Sequence, residues 1–98
     1  MAISNKLTKM KIKISSNNGE TFSAYLKTPT STPAPGLIII QEIFGVNEVM
    51  RNIADEYAQA GYVAIVPDLF WRQEANIELT DRSESDWQKA FELYQNFD

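Results

Sequence analysis

Leu37-Ile38-Ile39-Ile40-Gln41-Glu42-Ile43-Phe44-Gly45-Val46-Asn47 is the stretch on which the fold turns. Its first four residues form a continuous, β-branched-rich run, the pattern of a strand buried on both faces of a parallel or mixed sheet, and four residues are too few for a helix. Behind the loop Gln41–Val46, the apolar residues Val49, Met50, Ile53, Ala54, Tyr57 and Ala58 fall on one helical stripe. Asn47 is placed to cap that stripe and Gly61 to stop it, which predicts a helix over about 47–60. Tyr62-Val63-Ala64-Ile65-Val66, ended by Pro67, reads as the next buried strand. Strand, helix and strand in that order make a right-handed parallel crossover, so residues 37–66 form a β-α-β unit.

Working outward, Lys9, Lys11 and Lys13 alternate with Met10, Ile12 and Ile14, which predicts a strand over 8–14 with one basic and one apolar face. The lysines suit a solvated strand face or a charged sheet edge that discourages aggregation. Asn17-Asn18-Gly19 reads as a turn and Thr21–Leu26 as a second strand, so residues 1–27 form an antiparallel hairpin. Residues 28–36 hold three prolines and a glycine and form a loop. Residues 67–98 comprise a loop and a second helix, in which Trp87, Ala90, Phe91, Tyr94 and Phe97 recur at helical spacing behind Ser83 as cap. Such an aromatic stripe is expected to pack in the core. The whole is expected to be one partial α/β domain over residues 1–98. Two buried strands need cover on both faces and one crossover helix cannot supply it. The sheet is therefore incomplete, and the chain is expected to be a fragment or to complete itself by association.

The 98 residues carry 9 Lys+Arg against 13 Asp+Glu, a net charge of −4, and 44% are hydrophobic, the composition of one small globular domain. There is no Cys and no His, which removes a thiol nucleophile, a disulfide, a Cys/His zinc site and an imidazole base. The negative balance, with five lysines confined to residues 1–27, argues against nucleic acid as a partner. No apolar h-region or membrane-length run occurs, so a soluble cytoplasmic protein without membrane association is expected. No G-x-G-x-x-G follows a strand, and neither G-x-x-x-x-G-K-[ST] nor G-x-S-x-G is present.

Together with Arg51-Asn52-Ile53-Ala54-Asp55-Glu56-Tyr57-Ala58, Gly61-Tyr62-Val63-Ala64 and Pro67-Asp68-Leu69-Phe70-Trp71-Arg72, the opening stretch resembles the dienelactone hydrolase (carboxymethylenebutenolidase) family, with the blocks in family order and spacing. The resemblance implies the N-terminal part of an α/β-hydrolase fold and a parent enzyme that opens a lactone through a Cys nucleophile with His and Asp, without a cofactor. By the same resemblance, Glu42 matches the glutamate that holds the resting thiol, Ile43 the residue whose backbone N–H serves the oxyanion hole, and Arg72 the arginine that pairs with the substrate carboxylate.

The chemistry is consistent with those roles. Strand-to-helix connections in α/β-hydrolases supply one oxyanion N–H. A carboxylate at a strand end accepts a thiol proton if desolvation raises its pKa, and a guanidinium grips a carboxylate through two parallel hydrogen bonds. Read without the family, Glu42 is a polar strand end or a helix-dipole partner and Arg72 a surface charge. Asp55, on the polar helix face, and Asp68, at a strand end, are expected to be structural. The polar residues 73–82 would run beside the substrate pocket.

In the family pattern the nucleophile, its acid and its histidine lie downstream of the last residue. The chain is thus expected to be the N-terminal segment of an enzyme for a small lactone or ester, inactive alone and partnered by the missing C-terminal half. The alternative is a non-catalytic oligomeric α/β module that pairs open sheet edges between copies and binds a small anion at Arg72.

Overall fold

A computed structural model describes residues 8–97 of the chain, with side chains from Met10 onward. The amino-terminal residues, Lys6 among them, and the side chain of Lys9 lie outside what is described. Strands β1 (Thr8–Ser15) and β2 (Thr21–Thr28) form the expected hairpin, in register from Thr8 opposite Thr28 to Ser15 opposite Thr21. Gly19, at φ +89°, makes its turn. The alternation sorts the faces as expected: Lys11 and Lys13 are exposed, while Ile12 and Ile14 are half-buried.

Strand β3 (Gly36–Ile38), helix α1 (Glu48–Gln59) and strand β4 (Val63–Pro67) form the crossover, with β3 and β4 parallel. β4 also pairs antiparallel with β2, giving one mixed sheet in the order β1-β2-β4-β3. Helix α2 (Glu84–Gln95) follows. Both helices start on the residues named from sequence. The Asn47 side chain accepts from the Met50 N–H, and the Ser83 side chain from the Asp86 N–H.

The stripe of α1 buries Met50, Ala54 and Ala58. Its alanines keep the helix thin where it crosses β4, so Met50 and Ala54 close on Ala64 and Val66, with Tyr25, Ile39, Val46 and Ile53 packed around them. Asp55, expected on the polar helix face, turns toward the sheet instead. It accepts from the Tyr25 hydroxyl at 2.7 Å and lies 3.6 Å from the Lys27 ammonium.

Of the expectations about burial, one holds and one is corrected. The run 37–40 has the two-sided apolar pattern but, as expected of a sheet with one crossover helix, finds cover on one face only: Ile38 is 70% and Ile40 61% exposed, while Ile39 packs toward α1. β3 is the outer strand, and no described helix covers the face to which Ile38 belongs. The aromatic stripe of α2, expected in the core, is not core. Ala90 and Leu93 are the buried residues of that helix, whereas Trp87, Phe91, Tyr94 and Phe97 are exposed. The cause is that α2 lies on the segment following β4, with Leu93 against Phe70 and Ile77, and approaches none of the strands. A helix resting on a loop buries a narrower strip than one resting on a sheet. No described helix is long and apolar enough to cross a membrane.

Burial pushes the Tyr25 phenol up to about 12, and its hydrogen bond to Asp55 with that carboxylate's charge adds to the shift. The native state thus holds the phenolic proton more tightly than the unfolded chain, whose tyrosines ionise near 10. This contribution to stability is complete below pH 10 and is lost as pH rises toward 12. Phenolate absorbance during alkaline titration should show one of the four tyrosines ionising late, and Tyr25→Phe should remove that late step. Four tyrosines titrating together near pH 10 would exclude a lasting bond to Asp55.

Candidate active site

The loops that leave β3 and β4 emerge at the C-terminal end of the parallel pair, where open α/β sheets bind their ligands. The loop after β4 is shaped by Asp68. Its buried carboxylate accepts from the Phe70 N–H at 3.2 Å and the Asn76 N–H at 2.7 Å, the turn-capping role expected of it. The Asp68 N–H in turn donates to the Ser23 carbonyl at 2.9 Å, fixing the loop to β2.

The loop after β3 is fastened along its length to residues 77–79. Leu79 N–H donates to the Phe44 carbonyl at 2.8 Å, and the Asn47 side-chain amide donates to the Leu79 carbonyl at 2.8 Å. Arg51 reaches both the Val46 carbonyl at 3.0 Å and Glu78 at 2.7 Å. At Gly45, with φ +83°, a Cβ would stand 2.1 Å from the Ile77 carbonyl oxygen, so only glycine permits this approach.

A third connection joins the two loops near their roots. The Gln41 side-chain oxygen accepts from the Leu69 N–H at 2.9 Å, and its amide donates to the Glu42 carbonyl at 3.0 Å. Neither Gln41 nor Gly45 was singled out from sequence. Gly45 carried a signal, a lone glycine between two apolar residues, but the bond of Gln41 spans 28 residues and left none.

Glu42 is exposed, so nothing described desolvates its carboxylate, and no described cation pairs with it. Ile43 is half-buried, and its N–H has no hydrogen-bond partner among the described residues. Arg72 is exposed and pairs with no described carboxylate. Its guanidinium lies 4.5 Å from the centre of the Trp71 ring, which stacks on Phe22 at 5.2 Å. Arg72 lines a 340 Å³ hollow together with Ser16, Asn17 and Asn18 of the hairpin turn, its cation resting on the Trp71 face.

A larger hollow, 560 Å³, opens between β2, α1 and residues 76–78. Neither hollow joins Arg72 to Glu42 or Ile43. The structure therefore places the three residues on neighbouring loops without gathering them into one pocket. Among the described residues no three acidic side chains cluster as a metal site.

A mixed sheet, a crossover helix on one face and loops collected at the C-terminal end of the parallel strands define an α/β-hydrolase-like fold. A solved structure titled "Putative Dienelactone Hydrolase" from Klebsiella pneumoniae superimposes with a TM-score of 0.65 at 38% identity, over 72% of this chain and 30% of that one. The model of the dienelactone hydrolase family matches residues 22–98, and the chain belongs to that family. A "Putative carboxymethylenebutenolidase" of Azospirillum brasilense is 48% identical over 88 residues, which cover 89% of this chain and 38% of that protein. The carboxymethylenebutenolidase of Pseudomonas putida is 41% identical over 87 residues, covering 89% and 37%. The chain thus spans little more than a third of the length of these relatives.

Gly45→Ala should destabilise the fold by about 2–4 kcal/mol, through strain at positive φ together with overpacking against Ile77. The urea midpoint would show it, and an unchanged midpoint would mean that the loop does not close on Ile77 as described.

Proposed function

We propose that this chain is the amino-terminal part of a cytoplasmic dienelactone hydrolase-like enzyme that opens a lactone or related carboxylic ester. In this reading the Ile43 N–H donates to the oxyanion as the carbonyl carbon becomes tetrahedral. Glu42 holds the nucleophile's thiol before substrate arrives, and Arg72 pairs with a carboxylate on the substrate. The nucleophile, its histidine and its acid come from the remainder of the enzyme, since residues 1–98 contain neither Cys nor His. A thiolate attacks the carbonyl carbon, the ring oxygen leaves, and water hydrolyses the acyl-enzyme. No cofactor takes part.

The observation that carries this reading is a contrast at the C-terminal end of the sheet. Gln41, Asn47, Arg51, Asp68 and Glu78 are all engaged in hydrogen bonds, whereas the Glu42 carboxylate, the Ile43 N–H and the Arg72 guanidinium, which rests on the Trp71 ring, have no hydrogen-bond or ion-pair partner among the described residues. Groups left free beside a tightly bonded frame are the ones available to a substrate.

A second reading rests on Ile38 and Ile40, whose exposure at the outer strand suits pairing with a second copy in a non-catalytic module that holds a small anion at Arg72. Light scattering separates the two. Residues 1–98 without turnover, joined by activity once the remainder of the enzyme is added, support the first. A cooperative, folded dimer that the remainder does not activate supports the second.

Within the complete enzyme, Arg72→Ala should raise KM for a carboxylate-bearing lactone, a loss of ~1.5–3 kcal/mol in charge-assisted hydrogen bonding. An equal loss on a neutral ester would remove the carboxylate role.

A further inference from the structure

We infer that Gln41 is a positioning residue whose side-chain amide orients the peptide carrying the Ile43 N–H and whose side-chain oxygen holds the Arg72 loop in register with it. The inference rests on the hydrolase reading and deepens it.

The peptide bond is planar, which couples the two groups on either side of it. The Glu42 carbonyl and the Ile43 N–H belong to one trans peptide unit and point in opposite directions. Whatever fixes the carbonyl therefore fixes the direction of the N–H. The Gln41 amide donates to that carbonyl at 3.0 Å, and the Gly45 N–H donates to it from the other side of the loop at 3.3 Å. The peptide is thus held by its oxygen while its N–H remains free to meet developing negative charge, the preorganisation that an oxyanion donor requires.

The other end of the same side chain does different work. Its oxygen accepts from the Leu69 N–H at 2.9 Å. Leu69 lies between Asp68, which is tied to β2, and the turn in which Gln73 and Glu74 N–H both donate to the Phe70 carbonyl at 2.9 Å. That turn carries Trp71 and Arg72. One planar amide, half-buried between the loops, therefore spans from the oxyanion peptide to the base of the arginine turn and sets their separation. A substrate gripped at its carboxylate presents its carbonyl to Ile43 only at that separation, so Gln41 bears on which lactones fit.

Because the two ends act separately, two substitutions divide them. Gln41→Glu keeps the acceptor for Leu69 and loses the donor to Glu42. Gln41→Met keeps the length and loses both. In the complete enzyme, Gln41→Glu should lower kcat about tenfold on a carboxylate-bearing lactone and on a neutral ester alike, with KM for the lactone unchanged. Gln41→Met should show the same fall in kcat and, in addition, a rise of about tenfold in KM confined to the carboxylate-bearing substrate. Amide hydrogen exchange gives a reading that needs no activity: Leu69 should be protected in the parent and in Gln41→Glu, and exchange freely in Gln41→Met.

Wild-type kinetics in both variants, or a Gln41→Met enzyme that loses equally on both substrates without the KM split, would overturn the inference, as would an unprotected Leu69 amide in the parent. If Arg72→Ala fails to discriminate the two substrates while Leu69 protection follows the expected pattern, the carboxylate reading has failed and the tie itself stands.

Discussion

The buried side chain of Asn47 is the interaction from which the arrangement at the end of the sheet follows. Its oxygen accepts from the Met50 N–H and starts α1, while its amide donates to the Leu79 carbonyl, 32 residues downstream. A helix start is thereby bonded directly to a segment that has no regular structure of its own. Once that segment is fixed, Leu79 meets Phe44, Gly45 closes on Ile77, and the ring of Phe44 meets Trp87 edge-on at 5.0 Å. Helix α2 is thus placed through loops, not through contact with the sheet. An amide buried with both ends bonded specifies one geometry, because either end left unpaired would cost the full desolvation of a polar group.

The charges divide in a related way. Lys27 with Asp55, Arg51 with Glu78 and Lys89 with Glu74 pair across elements, the last holding the Lys89 ammonium above its usual range through the hydrogen bond to Glu74. Lys27 and Asp55 are largely covered, whereas the Arg51 and Lys89 pairs are open to solvent and add little stability. What they do is direct side chains, and the Arg51 pair lies directly over the loop that carries Glu42 and Ile43. Glu42 and Arg72 stand outside the pairing, one on each loop.

Most of this fold was legible from residue patterns. Period-two alternation located the hairpin, Asn47 and Ser83 marked two helix starts, and the apolar run before Gln41 located the crossover. The open apolar face at Ile38 follows from having one crossover helix for two faces, but patterns do not say what a helix rests on, and for that reason the aromatic stripe of α2 was misplaced. Asp55 was misread for a related reason. A carboxylate on an amphipathic helix looks solvated until a tyrosine hydroxyl from a strand 30 residues earlier meets it. Glu42 and Arg72 came from family resemblance, and Ile43 also from its place between the third strand and the first crossover helix. Their neighbour Gln41 was invisible because its chemistry exists only once two distant loops meet.

The two borders of the sheet differ in what they will accept. β1, carrying Lys11 and Lys13, repels an incoming strand by charge and by the cost of stripping water from ammonium groups. β3 at the other border carries no charged side chain, and its own Ile38 is open. Charge thus sets the two borders apart: the lysines along the first strand guard one edge of the sheet, and the other is left to apolar side chains.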